Sequence, residues 1–576
     1  MTQEPQKFLA NNWIDILYLR SKISGDKKAF IFLSPDGKET ERLTFSALLK
    51  RSEQIAAMIS EKAHAGQNCV IFLPQGLNFV CTFFGILLSG CIPVPAFAPN
   101  AHRNNSMRMA GILEAAKTNF IVTDSSSSSF VNAWKADGTI KRQAQCIEID
   151  VTSSDLSAPI QKIQPAITDT CLLQFTSGST GEPKGVLITH ENLLENMELL
   201  VKFYGTSSDT PFVSWVPLYH DLGLIGNMLF PIYSGATCIM MAPESFIQRP
   251  SLWLETIDKY RAYISFAPTF AYQFATKFKN EMNLTPSSFS SWKVAVVGAE
   301  PIFKDVLDTF SEAFSEFGFS SRNFQCAYGL AESTLMVVST SRDQAPNARY
   351  VNKKLLEEGQ IEFQRTSVNG HELICSGCIG EGHSIRIVDP NLNHSLNDLT
   401  VGEIYISGPC IADGYYENKE ATENAFVHFT EENQIYLRTG DLGFLDNSEL
   451  YVTGRSKDLI IINGKNHYPQ DIEKTIYSNV PFVRVGCTTA FQVQENSREQ
   501  FVLVSEIKPE HYSQVDLNYF TKILRCVYEY HGLTPLDIVL IPAGHISKTS
   551  SGKLQRQLVK KRYQNLKLKV IANLRS

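Results

Sequence analysis

The segment TSGSTGEPKGV, residues 176–186, follows the apolar stretch LLQF at residues 172–175. It holds three glycines, four hydroxyl side chains and one lysine within eleven positions. Glycines allow a backbone to fold back with its N–H groups pointing inward, and such a concave backbone binds anions. The hydroxyl groups can donate further hydrogen bonds, and Lys184 supplies a positive charge. The segment therefore predicts a loop that grips a polyphosphate, although a Gly/Ser cluster alone would favour an ordinary flexible surface loop.

This loop differs from the phosphate loop of the nucleotide triphosphatases, because the GxxxxGK(S/T) spacing is absent. A polyphosphate whose outer two phosphates leave as pyrophosphate would suit its donors. The candidate phosphate ligands are Thr176, Ser177, Gly178, Ser179, Thr180, Gly181 and Lys184.

The composition is that of a folded protein of several domains. The chain has 576 residues, of which 43% are hydrophobic and 19% are charged, and its formal net charge is −6. At about 150 residues per domain, the length predicts three or four units. Because the net charge is negative and no stretch of clustered lysines or arginines overrides it, we expect no nucleic-acid partner.

One uncharged window, residues 79–98, is long enough to cross a bilayer. It contains Gly85, Ser89, Gly90, Pro93 and Pro95, however, and its end resembles a short strand. We therefore expect a buried helix followed by a buried strand, with a membrane helix as the alternative, and no stable membrane insertion. The N-terminus lacks the pattern of a signal peptide, which favours a cytoplasmic location.

The twelve cysteines are scattered, and the only closely spaced pair is Cys375 and Cys378. A single CxxC without further ligands is weak evidence for zinc, so reduced and mostly buried thiols are expected.

Short apolar runs alternate with longer amphipathic stretches through the first half of the chain. Strand candidates separated by helical segments are typical of a parallel sheet with crossover helices. A serine run at residues 125–129 is interpreted as a solvated loop. From about residue 400 the pattern shortens into strands and turns, and the last 120 or so residues can form a small α+β domain. The candidate strands are residues 69–73, 92–96, 120–123, 172–175, 263–267 and 294–297.

Five further motifs follow the glycine-rich segment. The whole ordered set resembles the signature of the acyl- and aryl-adenylating enzyme superfamily, which includes acyl-CoA synthetases, peptide-synthetase adenylation domains and luciferases. The resemblance covers nearly the whole chain. The five motifs are GAEP (residues 298–301), YGLAE (328–332), YLRTGDLGF (436–444), GRSKDLIIINGKNHYPQDIE (454–473) and SKTSSGKLQR (547–556).

The resemblance implies an α/β fold, namely a large N-terminal domain (1–454) of βα subdomains with a β-rich subdomain at about 400–454. A hinge at 455–459 would connect it to a small mobile α+β C-terminal domain (460–576). It also implies ATP and Mg²⁺ as cofactors.

Several residues in these motifs have a role that their chemistry can explain. Tyr328 offers an aromatic face for adenine, and Glu332 offers a carboxylate for Mg²⁺, although either could be structural. An ionised Asp441 can accept hydrogen bonds from both ribose hydroxyls, its alternative being a turn aspartate. The resemblance adds Arg455 as a ribose and phosphate contact. The other implied nucleotide-binding residues are Gly298, Ala299, Glu300, Gly329, Leu330 and Ala331.

Two lysines are implied to act from the C-terminal side. Lys457 matches the residue about which the C-terminal domain rotates between adenylation and acyl transfer. Lys553 matches the main catalytic lysine, which reaches the α-phosphate and the attacking carboxylate. A compact ammonium there stabilises the negative charge that grows as two anions meet.

A further resemblance concerns the segment SWVPLYHDLGLIG, residues 214–226, which is similar to fatty acyl-AMP ligases. Those enzymes pass the acyl group to an acyl carrier protein, which would here be a separate chain. The spacer after Glu332 contains a charged segment at about 348–366, implied to hinder the rotation that admits coenzyme A. An ordinary surface insertion is the alternative. The acyl-pocket candidates are His220, Asp221 and Gly223.

The substrate would then be a medium- or long-chain fatty acid. Two other functions stay open at this point. A long-chain acyl-CoA synthetase would use free coenzyme A instead. A catalytically inactive binding protein would be expected to lose Lys553, Glu332 or Asp441, all of which are present.

Overall fold

The computed structural model describes residues 10–99, 103–149, 162–177, 183–366, 370–429, 434–495, 498–549 and 552–575. The helices of the N-terminal part are α1 (Trp13–Ser24), α2 (Phe45–Ser60), α3 (Leu77–Leu88), α4 (Arg103–Ala115), α5 (Ser125–Ala136), α6 (His190–Tyr204), α7 (Asp221–Leu224), α8 (Phe230–Ser234), α9 (Pro243–Gln248), α10 (Ser251–Lys259), α11 (Thr269–Thr276), α12 (Lys304–Phe314), α13 (Lys353–Glu357) and α14 (Lys419–Ala425).

Strands accompany these helices throughout the N-terminal part. They are β1 (Lys28–Leu33), β2 (Glu39–Thr44), β3 (Asn68–Phe72), β4 (Ile92–Pro95), β5 (Phe120–Thr123), β6 (Gln145–Glu148), β7 (Thr170–Ser177), β8 (Pro183–Thr189), β9 (Phe212–Ser214), β10 (Cys238–Met241), β11 (Ile264–Ala267), β12 (Val294–Val297), β13 (Phe324–Tyr328), β14 (Val338–Ser339), β15 (Ala348–Asn352), β16 (Phe363–Gln364), β17 (Gly370–Ile379), β18 (Ser384–Val388), β19 (Gly402–Ser407), β20 (Phe426–Phe429), β21 (Gln434–Asp446) and β22 (Glu449–Arg455).

The C-terminal part is a smaller α+β unit with its own apolar clusters. Strand β26 pairs with β25 in antiparallel and with β27 in parallel fashion. Its elements are β23 (Ile460–Ile462), β24 (Lys465–His467), α15 (Pro469–Asn479), β25 (Val483–Glu495), β26 (Arg498–Ile507), α16 (Leu517–His531), β27 (Asp537–Ile541), α17 (Arg556–Gln564) and β28 (Ala572–Arg575).

Parallel strands form the centre of the main sheet, in the order β13–β12–β11–β9–β10–β1. Strands β9 to β13 in this set are apolar and buried almost without interruption, as expected for strands covered on both faces. The same sheet continues past β13 into the antiparallel, β-rich part that contains β17, β19, β21 and β22. Because neighbouring parallel strands end at one edge, the segments after β9, β11, β12 and β13 come together there.

The prediction of α/β architecture with parallel strands and crossover helices is confirmed, except for the candidate strand at residues 172–175. Strands β3, β4, β5 and β6 form a separate parallel sheet in the order β4–β3–β5–β6. The apolar run at residues 172–175 lies in β7, which pairs with β8 as an antiparallel hairpin. An apolar run indicates that a strand is buried, but it does not specify which other strand it pairs with.

The serine run at residues 125–129 is not a loop, and that interpretation is wrong. It begins helix α5, where the side chain of Asp124 accepts a hydrogen bond from the Ser127 N–H at 2.7 Å. Serine is unfavourable in helix interiors but acceptable in a first turn that an aspartate caps. The apolar residues Val131 and Trp134 lie on the buried face of this helix.

The uncharged window at residues 79–98 forms the buried helix α3 followed by strand β4, as predicted. Within the described ranges, no helix combines the length and the apolar character needed to span a membrane.

Candidate active site

A large cavity of about 2490 Å³ lies between the N-terminal and C-terminal parts of the chain. It opens at the edge of the main sheet where the parallel strands end, and residues of α15, α17 and the segment before α17 close its other side. Motif residues that lie far apart in the sequence therefore share one space. Those lining the cavity are Thr176, Lys184, His220, Asp221, Gly298, Ala299, Glu300, Tyr328, Gly329, Leu330, Ala331, Glu332, Asp441, Arg455, Lys457 and Lys553.

The remaining predicted site residues have other positions. Gly178, Ser179, Thr180, Gly181 and the side chain of Ser177 lie outside the described residues. Gly223 is buried in helix α7, and a β-carbon there would lie 2.1 Å from the carbonyl oxygen of Pro217. Only glycine fits such a close approach of two backbone segments, so Gly223 shapes the turn beside the cavity.

The YGLAE segment reaches the cavity because Tyr328 ends strand β13. A β-carbon on Gly329 would lie 2.0 Å from the carbonyl oxygen of Leu335, so this position requires glycine. Thr334 has φ 68° and ψ −64°, and the Leu335 N–H donates to the Ser333 carbonyl at 2.8 Å. This is a strained γ-turn, unusual for a β-branched residue. The hydroxyl of buried Thr334 donates to the Cys410 carbonyl at 2.7 Å, which helps to hold the turn next to Glu332.

Asp441 accepts hydrogen bonds from two donors, Tyr328 of β13 and Arg455 of β22. The hydroxyl of Tyr328 donates to its Oδ2 at 2.8 Å, and the Nε of Arg455 donates to its Oδ1 at 3.1 Å. Asp441 and Arg455 are cross-strand partners in β21 and β22. Asp441 raises the pKa of Arg455 above its ordinary value, while burial and then Asp441 raise the pKa of the Tyr328 hydroxyl. The carboxylate is therefore oriented before any ligand binds.

Glu332 has a hydrogen-bond partner that the motifs do not reveal. The Tyr415 hydroxyl donates to its Oε1 at 2.7 Å, and the Ala412 N–H donates to its main-chain carbonyl at 2.9 Å. The Nζ of Lys184 lies 4.9 Å from the centre of the Tyr415 ring. Burial raises the pKa of Glu332, and the Tyr415 hydroxyl opposes that shift. Tyr415 thus joins the lysine of the glycine-rich segment to the glutamate of YGLAE.

Lys553 lies shortly before helix α17 in the C-terminal part and lines the cavity. Its N–H donates to the Thr549 hydroxyl at 3.0 Å, and its carbonyl accepts from the Thr549 N–H at 2.7 Å. Burial lowers the pKa of the Lys553 ammonium, and the nearby carboxylate of Asp221 counteracts this effect more than that of Glu300. An incompletely hydrated ammonium between carboxylates can accept a further anion at small desolvation cost.

Two carboxylates surround the position of Lys553. The Oδ1 of Asp221 lies 2.6 Å from the Nδ1 of His220. Burial alone would raise the pKa of Asp221. The charges of His220 and Lys553 and the hydrogen bond from the Leu222 N–H have the larger combined effect, so the pKa of Asp221 lies below its ordinary value. Glu300 accepts a hydrogen bond from the Phe270 N–H, and burial raises its pKa to about 7.

The segment around Lys457 is tied to helix α17. The Lys457 carbonyl accepts a hydrogen bond from Gln557 Nε2 at 2.9 Å. Arg556 forms a two-pronged ion pair with Glu473, both contacts being 2.7 Å, and a third contact with Asp458 at 3.1 Å. These charges are nearly buried, so any rotation about Lys457 must carry this network with it or break it.

The insertion after YGLAE consists of β15, α13 and β16, and only its short helix agrees with the helix-prone character of its sequence. Lys353 and Glu357 of this insertion contact the C-terminal part, and we call this set of contacts the interdomain latch. The Lys353 Nζ donates to the Tyr530 carbonyl at 2.6 Å, and a carboxylate oxygen of Glu357 lies 3.8 Å from Lys465 Nζ. Burial and the charge of Lys353 lower the pKa of His467, also near Glu357, to about 4. At neutral pH, Lys465 is therefore the charged partner of Glu357.

The Cys375 and Cys378 pair has no zinc-site character. Cys375 is buried whereas Cys378 is exposed, and the described residues contain no group of three His, Cys, Asp or Glu side chains placed to hold a metal.

Two family models match the chain. Residues 20–416 match the model described as AMP-binding enzyme. Residues 457–573 match the model described as Disco-interacting protein 2-like, AMP domain.

Relatives with assigned activities match over nearly the full length. The medium-chain-fatty-acid–acyl-carrier-protein ligase JamA of Moorena producens is 34% identical over 553 residues, covering 94% of this chain and 93% of the relative. The long-chain-fatty-acid–AMP ligase FadD26 of Mycobacterium marinum is 32% identical over 562 residues, with 94% and 95% covered.

Among solved structures, the fatty acyl-adenylate ligase of Legionella pneumophila in complex with acyl adenylate and pyrophosphate is similar, with a TM-score of 0.74. It is 33% identical in sequence, and the match covers 99% of each chain.

Proposed function

Since this chain belongs to the AMP-binding enzyme family, as a fatty acyl-AMP ligase, we propose that its large cavity forms the acyl-adenylate and then delivers the acyl group to an acyl carrier protein. The observation that carries the first step is the position of Lys553. It comes from the C-terminal part, yet it lines the same cavity as Asp441, Glu332 and Lys184 of the N-terminal part.

The reaction requires a carboxylate and a triphosphate to approach each other. An oxygen of the fatty-acid carboxylate attacks the α-phosphorus of ATP, the bond from that phosphorus to the β-phosphate bridge breaks, and pyrophosphate leaves with the electron pair. The ammonium of Lys553 faces both anions and stabilises the charge that grows on the α-phosphate. Asp221 and Glu300 counteract the lowering of the ammonium's pKa by burial.

The nucleotide is held on the opposite side of the cavity. Asp441, already oriented by Tyr328 and Arg455, accepts hydrogen bonds from the ribose hydroxyls. Lys184, near the ring of Tyr415, and the glycine-rich segment bind the β- and γ-phosphates. Binding at both ends of ATP leaves the α-phosphate between them, opposite Lys553.

Mg²⁺ fits the residues present, and Glu332 is its proposed protein ligand. Mg²⁺ at nucleotide sites takes one or two carboxylates together with phosphate oxygens and waters, so it does not need a cluster of three acidic side chains. The Tyr415 hydroxyl donates to Oε1 of Glu332 and holds this carboxylate at the cavity, where it would bind the ion. When bound, Mg²⁺ neutralises phosphate charge.

The interdomain latch favours a carrier protein over coenzyme A as the acceptor. Its contacts join the insertion to the C-terminal part in the arrangement that brings Lys553 into the cavity. Rotation away from that arrangement has to break these contacts before a thiol can enter by the same route. We propose that docking of a carrier protein supplies the required free energy, whereas free coenzyme A, which has a much smaller contact surface, does not.

The latch makes a prediction about Glu357. Glu357→Ala should raise the rate of acyl-CoA formation about fivefold, because the lost ion pair with Lys465 corresponds to about 1 kcal/mol. The measurement is thioester formation from ATP, octanoate and coenzyme A. Glu358→Ala is the matched control, since Glu358 carries the same charge on the next, exposed position. Equal rates of acyl-CoA formation in the two variants would show that the interdomain latch does not hinder the use of coenzyme A.

The acceptor itself is tested with the wild-type chain. The protein is incubated with ATP, Mg²⁺ and a fatty acid, together with either coenzyme A or a phosphopantetheinylated carrier protein. We expect acyl-AMP to accumulate with coenzyme A and to be consumed with the carrier. Rapid formation of acyl-CoA would instead identify an acyl-CoA synthetase.

A further inference from the structure

Positive charge is concentrated in the last part of the chain. Residues 538–576 contain nine lysines and arginines and no aspartate or glutamate, although the net charge of the whole chain is −6. Within the described ranges, the ion pairs of this part are made by Arg556 and Arg575. Five other cations take part in none of them and lie in helix α17 or just after it, namely Lys560, Lys561, Arg562, Lys567 and Lys569.

Helix α17 and the segment after it are attached to the C-terminal part by one face. Val559 is buried, and Tyr563, one helical turn further on, packs against the same apolar cluster. Leu568 packs against this cluster as well. The side chains of Lys561 and Lys567 are exposed, so the opposite face is basic and open to solvent.

Leu566 lies in the turn that ends α17, at a position that usually holds glycine. Its φ is 53°, in the left-handed region that disfavours side chains with a β-carbon. The Leu566 N–H donates to the Tyr563 carbonyl at 3.0 Å, and the Lys567 N–H donates to the Arg562 carbonyl at 2.8 Å. These two hydrogen bonds are those of a Schellman turn, which favours glycine at this position.

The side chain of Leu566 is nevertheless 93% exposed, and that of Val570 is 48% exposed. Folding therefore gains almost no apolar burial from Leu566 while the backbone adopts an unfavourable conformation. A single exposed leucine is ordinary on a protein surface. A leucine in a glycine position, among five cations without acidic partners in the described ranges, indicates contact with an anionic and partly apolar partner.

The kind of cation favours a membrane surface over a protein as that partner. Four of the five cations are lysines, and lysine is depleted at protein–protein interfaces, where arginine and aromatic side chains are enriched. At a bilayer, lysine ammonium groups lie at the lipid phosphates while neighbouring apolar side chains enter the headgroup region. Each basic residue near an anionic bilayer raises the affinity about fivefold.

We propose that residues 560–570, the basic tip, attach this protein to the surface of anionic membranes, with Leu566 entering the headgroup region. Such attachment is peripheral and needs no helix that spans the bilayer. Lys561 also lines the large cavity, so attachment would place one wall of the candidate active site near the bilayer, into which fatty acids partition. The proposal goes beyond acyl transfer and does not depend on it.

The test is co-sedimentation of the full-length protein with lipid vesicles. At about 0.1 M NaCl, the wild type should bind vesicles of phosphatidylcholine that contain about 30% phosphatidylglycerol. It should not bind vesicles of phosphatidylcholine alone. Raising NaCl to about 0.5 M should release most of the protein, because salt screens exposed charges.

Leu566→Gly removes the apolar contact without harming the turn. It should lower the affinity for anionic vesicles about tenfold, as expected for a leucine that loses part of its burial. Its melting temperature should equal or exceed that of the wild type, because glycine suits the left-handed conformation. Leu392→Gly is the matched control, since Leu392 is 70% exposed and lies in the N-terminal part, and it should bind like the wild type.

The double variant Lys567→Glu/Lys569→Glu reverses two charges of the basic tip. It should lower the affinity for anionic vesicles by about 10²-fold or more. The control Lys50→Glu/Lys62→Glu changes the net charge equally at two exposed lysines in and after helix α2. Its affinity should stay near that of the wild type, because charges distant from the bilayer are screened.

Absence of binding to anionic vesicles, or binding that Leu566→Gly and the charge reversal leave unchanged, would overturn the proposal. Loss of carrier-protein acylation in Leu566→Gly, with vesicle binding retained, would assign the basic tip to the carrier protein instead. Pyrophosphate exchange with dissolved octanoate should stay at the wild-type rate in both variants. Failure of membrane attachment and failure of the proposed adenylation are therefore seen in separate measurements.

Discussion

Lys553→Ala is expected to lower fatty-acid-dependent exchange of pyrophosphate into ATP by about 10²–10³-fold. Lys553 lines the large cavity together with Asp441, Glu332 and Lys184. Its ammonium is thus placed to stabilise the charge on the α-phosphate, and alanine offers nothing in its place. The affinity for ATP should change little, because Asp441, Lys184 and the glycine-rich segment still hold the nucleotide.

The control for this prediction is Lys567→Ala, which removes one exposed lysine of the same C-terminal part. It should retain wild-type exchange. Lys553→Arg should recover only part of the lost rate, because the planar guanidinium is larger than an ammonium and presents its charge differently. Retention of full exchange in Lys553→Ala would exclude Lys553 from the chemistry.

Asp441→Ala is expected to raise the KM for ATP by about 10–10²-fold, since each hydrogen bond to a charged acceptor is worth about 1.5–3 kcal/mol. The variant also leaves Arg455 and the Tyr328 hydroxyl without their common acceptor. The KM for the fatty acid should stay close to its wild-type value, since Asp441 is proposed to contact the ribose and not the fatty acid.

A graded comparison supports this assignment. Tyr328→Phe removes only the hydroxyl that orients Asp441, so its KM for ATP should rise less, by no more than about tenfold. An unchanged KM for ATP in Asp441→Ala would show that the carboxylate has only the structural role of a turn residue.

Much of the site could be predicted because each motif is local. Asp441 and Arg455 are only 14 positions apart and are brought together by one hairpin. GAEP and YGLAE each follow a buried strand, so their meeting at one sheet edge follows from the parallel arrangement of those strands.

Contacts between distant segments were not predictable in the same way. Tyr415 contacts Glu332 across 83 positions and belongs to no motif, so only the fold reveals that it orients this carboxylate. The prediction of a loop at the serine run, residues 125–129, was wrong for a different reason. One capping residue, Asp124, decides whether a helix forms in a segment with weak helix preference.

The insertion after YGLAE illustrates how a partly correct expectation arises. Its sequence is charged and helix-prone, and α13 is indeed helical over Lys353–Glu357. Its other residues, however, form β15 and β16, because β15 pairs with β17 of the main sheet. Pairing with an existing strand edge outweighs weak local helix preference.

The central claim, that Lys553 serves adenylation within the shared cavity, is tested most directly by separating the two half-reactions of Lys553→Ala. Wild type and variant are given either ATP with octanoate or preformed octanoyl-AMP, each with a phosphopantetheinylated carrier protein. We predict that the variant loses the ATP-dependent route but transfers the acyl group from octanoyl-AMP at a rate near that of the wild type. Equal loss of both routes, or loss of neither, would contradict the account.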